Sequence, residues 1–452
     1  MKKRLPFALL CMVLAISMYS CKKSTGNDDT SEVLVNNDTE SLQNQLDAGD
    51  VTLISGRIYH VTGLTVTHSL NLNGATINLI STNPYTYALT IFAPGVQVSN
   101  GTITGLWNNQ NPGDPNGYGA IFISAAKCSI SHINISSFSS YGINTGPVDS
   151  TSVTYSTISN TGYMGFFYDA ETASTFGGTF SNNTVDRSML PSATIQQMAI
   201  GIRGSSFNNN ITTSGWVISN NNIKLPVNPA DISAQGMELR FCNHTLIENN
   251  TISSGSTAIS LVDCLDNSVT GNTCSNVTQE GIEYADSQSC LGQNNVISGS
   301  GTVGELVDGS IGCNNIQITG DKISGTVQEC IHAYYQTQNL TISGCTLTTS
   351  GPNSFAINLQ KSNFVKVINS NINGNGIGYA AIQLDNCPGN LTVTGGTIAN
   401  FQTSVLYIYN STQGLLTNNI SVSGVTITGV PQGVTYELDN GGLLGSNINV
   451  AL

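Results

Sequence analysis

The sequence is poor in charged residues and in tryptophan. It has no apolar run long enough to cross a membrane, and the N-terminal apolar segment, residues 5–19, is also too short. Charged residues make up 9% of the chain, and 14 lysines and arginines face 27 aspartates and glutamates. Five of those basic residues lie in the first 23 positions, so the remainder is still more acidic. This balance argues against nucleic acid or an anionic membrane surface as a partner.

The first 21 residues have the organisation of an export signal. Lys2, Lys3 and Arg4 form a positive segment, residues 5–19 are apolar, and Ser20-Cys21 follows. This order is typical of a secretory signal, and the position of Cys21 resembles a lipoprotein lipobox. We therefore expect lipidation at Cys21 and a polar tether over residues 22–38. Cleavage nearby without lipidation is the alternative. The expected location is the bacterial outer membrane, facing the periplasm or the cell surface and held there only by the lipid.

A six-residue unit, apolar-x-(Asn/Gly)-x-x-apolar, recurs along a chain dominated by residues that form helices poorly. It occurs at 72–77, 98–103, 180–185, 218–223, 247–252, 269–274, 318–323, 342–347, 367–372, 393–398 and 422–427. From residue 223 the interval is about 22 to 29 residues, the length of one three-strand coil of a parallel β-helix. The two apolar residues would point inward from successive strands. Asn or Gly would make the bend between them, because both tolerate left-handed backbone.

A third strand precedes most units and has the pattern (Gly/Ala)-Ile-x-apolar-x. Its clearest instances lie at 120–124, 199–203, 236–240, 281–285, 330–334, 356–360 and 381–385. Residues 40–48 predict a short amphipathic helix that caps the open end of the stack, where an edge strand needs protection. The sequence therefore predicts an all-β fold over residues 39–452. It is a right-handed parallel β-helix, a single solenoid with three strands per coil.

The opening of this domain resembles the pectate-lyase-like superfamily. The resemblance rests on Val51-Thr-Leu-Ile-Ser-Gly-Arg-Ile-Tyr59 followed by Leu72-Asn-Gly-Ala-Thr-Ile77, and as a pattern it extends over nearly the whole domain. It implies a β-helix that acts on a polysaccharide. The Asn-Thr-Asp, Asp-Asp and Gly-His-Gly set of polygalacturonases is missing, as are the Asp-Pro-His-Glu of alginate epimerases and a clear pectate lyase arginine motif. No residue role is therefore carried over.

Nine cysteines follow Cys21. Cys242, Cys264, Cys290 and Cys313 fall at similar places in four successive predicted coils, just before the second strand. Neighbouring coils lie about 4.8 Å apart, which would permit disulfides. We favour a ladder of buried, reduced thiols. Metal binding is disfavoured, since no Cys-x-x-Cys pair or histidine cluster accompanies these residues.

Three long connections, at 104–119, 186–198 and 224–235, join a unit to the next (Gly/Ala)-Ile strand. They should project from one edge and wall a groove over the outer face of those strands. Trp107 and Tyr118 lie in the first connection and are suited to stacking on sugar rings. Packing within their own loop is the alternative for both.

Strand alternation predicts which side chains face this groove. The residues expected to point outward are Asp169, Arg203, Glu238, Arg240, Glu283, His332 and Tyr334. Two of the four arginines after the signal, Arg203 and Arg240, would be neighbours in one column. Such like charges need a shared anion, either Glu238 with Asp169 or a carboxylate of the ligand. A surface salt-bridge ladder without other function is the alternative.

Two mechanisms fit these residues. For hydrolysis, Glu238 and Glu283 would lie two coils apart, about 9.6 Å by rung spacing and near the upper limit for an inverting acid/base pair. Asp263, on the coil between, could assist. For elimination from a uronic acid, arginine or a metal would neutralise the substrate carboxylate while a base removes the neighbouring proton. The residues available for this are Arg203, Arg240, His332 and Tyr334.

No cofactor is required by either mechanism, although Glu238 with Glu283 would suit calcium. The function expected from the sequence is a polysaccharide lyase or glycoside hydrolase. A non-catalytic glycan-binding or adhesive β-helix is the alternative. The two differ in one respect: an enzyme needs Glu238, Arg240 and Glu283 to converge in one groove with perturbed pKa values.

Overall fold

The computed structural model describes residues 36–109, 113–190, 198–205, 212–227, 234–411, 417–439 and 445–451. Residues 37–452 form one compact unit. Among the described residues the regular structure consists of one α-helix, Thr39–Ala48, and β-strands that coil into a parallel solenoid. No helix in this part of the chain combines the length and the apolar character needed to cross a membrane.

One sheet of 15 parallel strands, here called the front sheet, runs along the whole solenoid and takes one strand from each coil. Its strands are Leu64–Val66, Tyr87–Ile91, Gly119–Ile123, Tyr141–Thr145, Met164–Asp169, Ile200–Arg203, Met237–Arg240, Ile259–Val262, Glu280–Ala285, Val303–Asp308, Glu329–Ala333, Phe355–Gln360, Ala380–Asp385, Ser404–Ser411 and Gln432–Asp439. Seven of these strands coincide with the segments that the (Gly/Ala)-Ile pattern predicts.

The other two faces of the solenoid are ribbons of short parallel strands that join into one 29-stranded sheet. The first ribbon contains Val51–Thr52, Leu70–Asn71, Gln97–Thr104, Ser129–Ser136, Ser152–Thr154, Thr179–Ser181, Val217–Ser219, Leu246–Glu248, Ser268–Thr270, Leu291–Gln293, Gln317–Thr319, Thr341–Ser343, Asn363–Ile368, Gly389–Thr394, Ile420–Ser423 and Ile448–Val450. The second contains Ile58–Val61, Thr76–Leu79, the later halves of Gln97–Thr104 and Ser129–Ser136, Thr157–Ser159, Thr184–Asp186, Asn222–Lys224, Thr251–Ser253, Thr273–Ser275, Val296–Ser298, Lys322–Thr326, Thr346–Thr349, Asn371–Asn373, Thr397–Ala399 and Thr426–Thr428. A small sheet joins Thr175–Phe176, Thr213–Ser214 and Cys242–Asn243.

The six-residue unit forms the corner between the two ribbons. In Ile218–Ile223 the first strand ends at Ser219 and the second begins at Asn222. Asn220 makes the bend with φ of 55°, and Ile218 and Ile223 are fully buried. Equivalent isoleucines pair on neighbouring coils, so the core is a set of aliphatic ladders. This confirms the predicted geometry of the unit and the predicted fold class.

A second asparagine in this corner has a role that the repeat did not predict. Asn221, Asn250, Asn272 and Asn295 stack on successive coils and are buried. The side-chain amide of Asn272 donates to the Ile247 carbonyl at 3.0 Å, and its Oδ1 accepts the Asn250 backbone N–H at 2.9 Å. The same pattern repeats along the stack, which ends at Asp321. This buried ladder satisfies the backbone groups that the turn leaves unpaired.

The cysteine ladder differs from the prediction in one member. All nine cysteines of the described residues are free and buried, which confirms reduced thiols. However, Ser287, not Cys290, stands between Cys264 and Cys313 in the column. Each of these side chains donates to a carbonyl of the preceding coil, as the Cys313 thiol does to the Tyr284 carbonyl at 3.1 Å. The column therefore selects small side chains that donate a hydrogen bond, and serine fits it as well as cysteine does.

The predicted capping helix is present. It buries Leu42 and Leu46 against the first coil. The amide group of Gln43 donates to the Thr65 carbonyl and accepts the Thr65 N–H, both at 2.9 Å. A side chain of the helix thus continues the hydrogen bonding of the first front-sheet strand and covers its edge. Arg57 pairs with Asp38 at 2.6 Å just before the helix begins.

Candidate functional site

The outer face of the front sheet carries two columns of side chains, two residues apart on each strand. The first column, column A, contains Phe167, Gly201, Glu238, Ser260, Glu283, Leu306, His332, Asn358, Gln383 and Tyr407. The second, column B, contains Asp169, Arg203, Arg240, Val262, Ala285 and Asp308, and further along Gln360, Asp385, Tyr409 and Glu437. In-register pairing brings residues that are distant in sequence into adjacent positions.

Two arginines and one glutamate form the charged centre of this face. Arg203 and Arg240 are register partners in column B. Glu238 lies between them and accepts from Arg203 Nη2 at 3.0 Å, with Arg240 Nη2 at 3.6 Å from its other oxygen. Glu238 is 7% exposed, so the guanidinium groups cover it from solvent. It is the shared anion that two neighbouring positive charges require.

Asp169 does not share this role, although it pairs in register with Arg203. Its carboxylate accepts the backbone N–H of Glu171 at 2.9 Å, and no ion pair joins it to an arginine among the described residues. The Nε groups of Arg203 and Arg240 are buried without a hydrogen-bond partner in the described part of the chain. Buried donors without acceptors are costly in a folded protein.

Glu283 lies two coils from Glu238 in the same column. Ser260, on the coil between, donates its hydroxyl to Glu283 Oε2 at 2.6 Å. Burial raises the pKa of Glu283 above its usual range, and the negative charge of Glu238 raises it further. The Ser260 hydrogen bond and the positive charge of Arg240 oppose that shift. Glu283 thus holds a proton to a higher pH than an ordinary glutamate does.

Further carboxyl groups surround Glu283. Burial, followed by the charge of Glu283, raises the pKa of Asp308 to about 6. Burial also raises the pKa of Glu280, which accepts a hydrogen bond from Thr257 at 2.7 Å. Asp263, just after the strand Ile259–Val262, has its pKa raised by burial and by Asp286 and lowered by Arg240. Carboxyl groups with shifted pKa values cluster at functional sites, so this group of residues is a candidate site.

Aromatic rings form the floor beside the arginines. The Arg203 guanidinium lies 5.6 Å from the centre of the Phe167 ring, and Tyr141 stacks on the other side of Phe167 with ring centres 5.6 Å apart. Tyr141 and Phe167, together with Asp169, line a depression of about 320 Å³. The charged centre therefore opens onto an apolar surface on one side and onto carboxyl groups on the other.

His332 and Tyr334 do not join the arginines, contrary to the elimination hypothesis. His332 is four coils beyond Glu238 in column A, about 19 Å by rung spacing. Its ring packs against Tyr334, and burial lowers the pKa of His332 to about 4. The residues proposed as arginine clamp and base are thus separated along the solenoid axis.

Trp107 and Tyr118 are 7% and 8% exposed. Tyr118 packs edge-on against the buried Phe138 ring, with centres 6.2 Å apart. Little ring surface is exposed, which favours the packing alternative. Both residues nevertheless line a depression of about 310 Å³, so the stacking role stays a prediction. The three predicted connections are described only in part, because residues 110–112, 191–197 and 228–233 fall outside the described ranges. Cys21 lies outside them as well.

No group of three or more histidine, cysteine, aspartate or glutamate side chains that could hold a metal ion occurs in the described part of the chain. Glu238 is already paired with two guanidinium groups, whose positive charges would repel a calcium ion. The donor set at Glu238 and Glu283 therefore does not fit calcium.

Comparison with known families and structures supports the architecture. The family described as a right-handed beta helix region matches residues 150–323. That segment includes Arg203, Glu238, Arg240 and Glu283. The chain has a right-handed parallel β-helix fold.

Several solved β-helix structures are similar to this chain. The Dettilon tailspike protein superposes with a TM-score of 0.56 at 13% identity, over 72% of this chain and 65% of its own. The chain thus spans just under two thirds of the tailspike. The A-module of the Azotobacter vinelandii mannuronan C-5 epimerase AlgE6 gives a TM-score of 0.42 at 17% identity, over 92% of this chain and 96% of the module. The catalytic unit of a Streptomyces thermodiastaticus GH87 alpha-1,3-glucanase gives 0.41 at 14% identity, over 89% of this chain and 66% of that unit. A comparison with curated protein sequences finds no match. At these identities the likeness concerns the fold alone.

Sequence reasoning missed Ser260, Glu280 and Asp308 in this β-helix. Asp308 ends the strand Val303–Asp308, which opens with Gly304-Glu305 where the pattern expects Gly-Ile. That strand was therefore not recognised as one of the series. Strand alternation applied from Gly304 would have placed Asp308 outward.

Proposed function

We propose that the front sheet binds a polysaccharide and that Glu238 and Glu283 hydrolyse a glycosidic bond in it. One observation carries this proposal: two carboxyl groups in one outward column lie in opposite electrostatic surroundings. Burial raises the pKa of Glu283, whereas Glu238 is the anion shared by two guanidinium groups. A protonated and an ionised carboxyl group on one face form the pair that glycoside hydrolysis requires.

In the proposed step, Glu283 donates its proton to the glycosidic oxygen as the bond between that oxygen and the anomeric carbon breaks. Glu238 accepts a proton from a water molecule, whose oxygen forms the new bond to the anomeric carbon. The products are a new reducing end and a free hydroxyl group. A separation of two coils, about 9.6 Å between backbones by rung spacing, leaves room for that water and favours inversion.

Arg203 and Arg240 would bind the glycan and keep Glu238 in place. Their side chains are 27% and 38% exposed, so exposed guanidinium N–H groups would donate to a hydroxyl or carboxylate oxygen of the glycan. Elimination is less well supported, because His332 lies four coils beyond the strand that carries Arg240 and five beyond the strand that carries Arg203.

The first experiment measures new reducing ends released from a panel of uronate-containing and neutral polysaccharides. We expect Glu283→Gln and Glu238→Gln to lower the rate about a thousandfold. Glu248→Gln, on a strand of the first ribbon, is the matched control and should keep full activity. EDTA should leave the rate unchanged, because we propose that no metal takes part.

Three outcomes would contradict hydrolysis. An unsaturated uronate product detected by its ultraviolet absorbance would indicate a lyase. Reducing ends released equally by both glutamate variants would place the chemistry elsewhere. Glycan binding without turnover on any member of the panel would leave the non-catalytic, adhesive function as the better description.

We also propose that the protein is an exported lipoprotein, anchored through Cys21 to the bacterial outer membrane. The support is the sequence order of positive segment, apolar segment and Ser20-Cys21. Cells that express the chain and are fed labelled palmitate should label it. Cys21→Ser should abolish that label, whereas Cys11→Ser should not. A label retained in Cys21→Ser would contradict the anchor.

A further inference from the structure

A second depression, of about 380 Å³, lies on the front sheet toward its C-terminal end. Its floor includes Gln383 of column A and Asp385 of column B, and Tyr407 is the register partner of Gln383 on the next coil. Gln383 is four coils beyond Glu283, about 19 Å by rung spacing. This depression, here called the aromatic pocket, is therefore separate from the charged centre but lies on the same face.

Three aromatic rings build one side of the aromatic pocket. Tyr379 lies 5.3 Å from Tyr407 and 5.8 Å from Phe355, centre to centre, and both contacts are edge-to-face. Phe355 and Tyr407 are 5.8 Å apart. Tyr407 is buried, whereas Phe355 and Tyr379 keep part of their rings exposed. Rings held by each other in this way form a rigid apolar wall that costs little conformational entropy on binding.

Hydrogen-bonding groups face this wall. Asp385 is half-buried, and its Oδ1 accepts from the Asn386 side chain at 2.6 Å. Its other oxygen remains for a ligand hydroxyl. Gln383 and the exposed Glu437 add further acceptors around the same space. An apolar wall with a few convergent polar groups is the usual composition of a small-ligand site.

The charge of the aromatic pocket is opposite to that of the arginine pair. Its lining contains Asp385 and Glu437 but no lysine, arginine or histidine. The positive charge of Lys361 lowers the pKa of Asp385. The Lys361 ammonium itself lies over the Tyr335 ring, 5.4 Å from the ring centre. A uronate carboxylate in the pocket would therefore meet two like charges without a guanidinium to pair with. An uncharged sugar ring would instead offer its apolar face to the tyrosines and its hydroxyl groups to Asp385.

We propose that the aromatic pocket is a subsite for an uncharged sugar ring of the glycan that lies along the front sheet. This inference rests on the proposed function for the class of ligand, but it needs no catalysis. A glycan that spans both sites would have a neutral residue over Tyr379 and could carry its acidic group only near Arg203 and Arg240.

The test is binding of the purified protein, made as Glu283→Gln so that no substrate is consumed, to an array of neutral and uronate-containing oligosaccharides. Calorimetry follows on the neutral oligosaccharide that binds best. Added to this background, Tyr379→Ala and Asp385→Asn should each weaken that affinity by about tenfold or more. Tyr155→Ala removes an exposed ring that stacks on His132 elsewhere on the solenoid and should leave binding unchanged. Thermal unfolding of each variant confirms that it is folded.

The outcomes separate this inference from the proposed function. Binding of a neutral oligosaccharide that depends on Tyr379 and Asp385 supports the subsite, even if no hydrolysis is ever observed. Hydrolysis that Glu283→Gln abolishes, together with affinity that neither pocket variant alters, overturns the subsite and leaves the proposed function intact. The subsite is also overturned if no neutral glycan on the array binds, or if only uronate-containing glycans depend on Tyr379.

Discussion

At the scale of single residues, the protonation of Glu283 depends on neighbours that push its pKa in opposite directions. Burial keeps the proton on the carboxyl group, and the Ser260 hydroxyl, which donates at 2.6 Å, favours the ionised form. The charge of Glu283 in turn raises the pKa of Asp308 on the next coil. If Glu283 is the proton donor, activity should fall as the pH rises through its pKa.

Substitutions at these two neighbours should affect that alkaline limb differently. Ser260→Ala removes a hydrogen bond to the carboxylate, so the pKa of Glu283 rises and activity persists to higher pH. Asp308→Asn should leave the limb in place, because the pKa of Glu283 is shifted by burial, Ser260, Glu238 and Arg240 and not by Asp308. The measurement is kcat/KM against pH for the protein and both variants. A limb that stays in place in Ser260→Ala, or that moves equally in both variants, would mean that the limb reports another group.

Single residues also show which features of the site the sequence could predict and which it could not. Alternation correctly placed Glu238, Arg240 and Glu283 outward, because it depends only on the backbone. It could not show that Glu238 would be nearly covered by two arginines, or that Trp107 would be buried. Those outcomes depend on side-chain packing between coils and within loops, which a one-dimensional pattern does not contain.

At the scale of elements, the asparagine ladder joins successive turns between the two ribbons. Each internal asparagine pairs one carbonyl and one N–H of the preceding coil. Removal of one amide therefore leaves two buried backbone groups unpaired, at about 1 to 3 kcal/mol each. The ladder stabilises the corner more than the aliphatic repeat alone would suggest.

We expect Asn272→Ala to lower the free energy of unfolding by about 3 kcal/mol. Asn222→Ala, at an exposed strand position two coils away, should change it by less than about 0.5 kcal/mol. Chemical denaturation followed by circular dichroism measures both. Equal effects in the two variants would show that the ladder contributes no more than an exposed side chain does.

The strand Val303–Asp308 shows why the repeat predicted most elements but not all of them. Its Gly304 fits the pattern, but Glu305 takes the inward position that isoleucine holds in its neighbours, as Ile282 and Ile331 do. A polar residue at a core position breaks the hydrophobic signal from which strands are predicted. The strand is identified by its pairing with Glu280–Ala285 on one side and Glu329–Ala333 on the other.

At the scale of the whole molecule, the buried Glu305 affects how the stability of the solenoid depends on pH. Glu305 is fully buried, and no N–H or O–H group of another described residue donates to its carboxyl group. Burial, followed by the charge of Asp321, raises the pKa of Glu305 well above its ordinary value of 4.5. Protonated Glu305 can donate to Asp321, so the pair is tolerated in the core only while it holds a proton.

The proton on Glu305 determines whether the free energy of unfolding rises or falls with pH. Below pH 4.5 Glu305 is protonated in both the folded and the unfolded chain, and it has no effect on the balance. As the pH rises, the unfolded chain ionises first, so the free energy of unfolding falls until the folded-state pKa is passed. We expect Glu305→Gln to be more stable than the unaltered protein at pH 8, with little difference at pH 4.

Denaturant titrations between pH 4 and pH 8 measure this effect. Glu171→Gln, at an exposed position, should leave the pH dependence unchanged. The expectation fails if Glu305→Gln is equally or less stable than the unaltered protein at pH 8. In that case the buried pair would be ionised at little cost or would be needed for folding.

Because the strands of the front sheet pair in register, two sites on this face are separated by a whole number of coils. Every coil adds the same short step, so the gap between Glu283 and the aromatic pocket is a whole number of steps, fixed by how many coils separate them. Insertion or deletion of one complete coil would preserve every core ladder while lengthening or shortening that gap by one step. The solenoid would then act as a ruler, and relatives with different coil counts would be matched to glycans whose neutral and scissile residues are spaced differently.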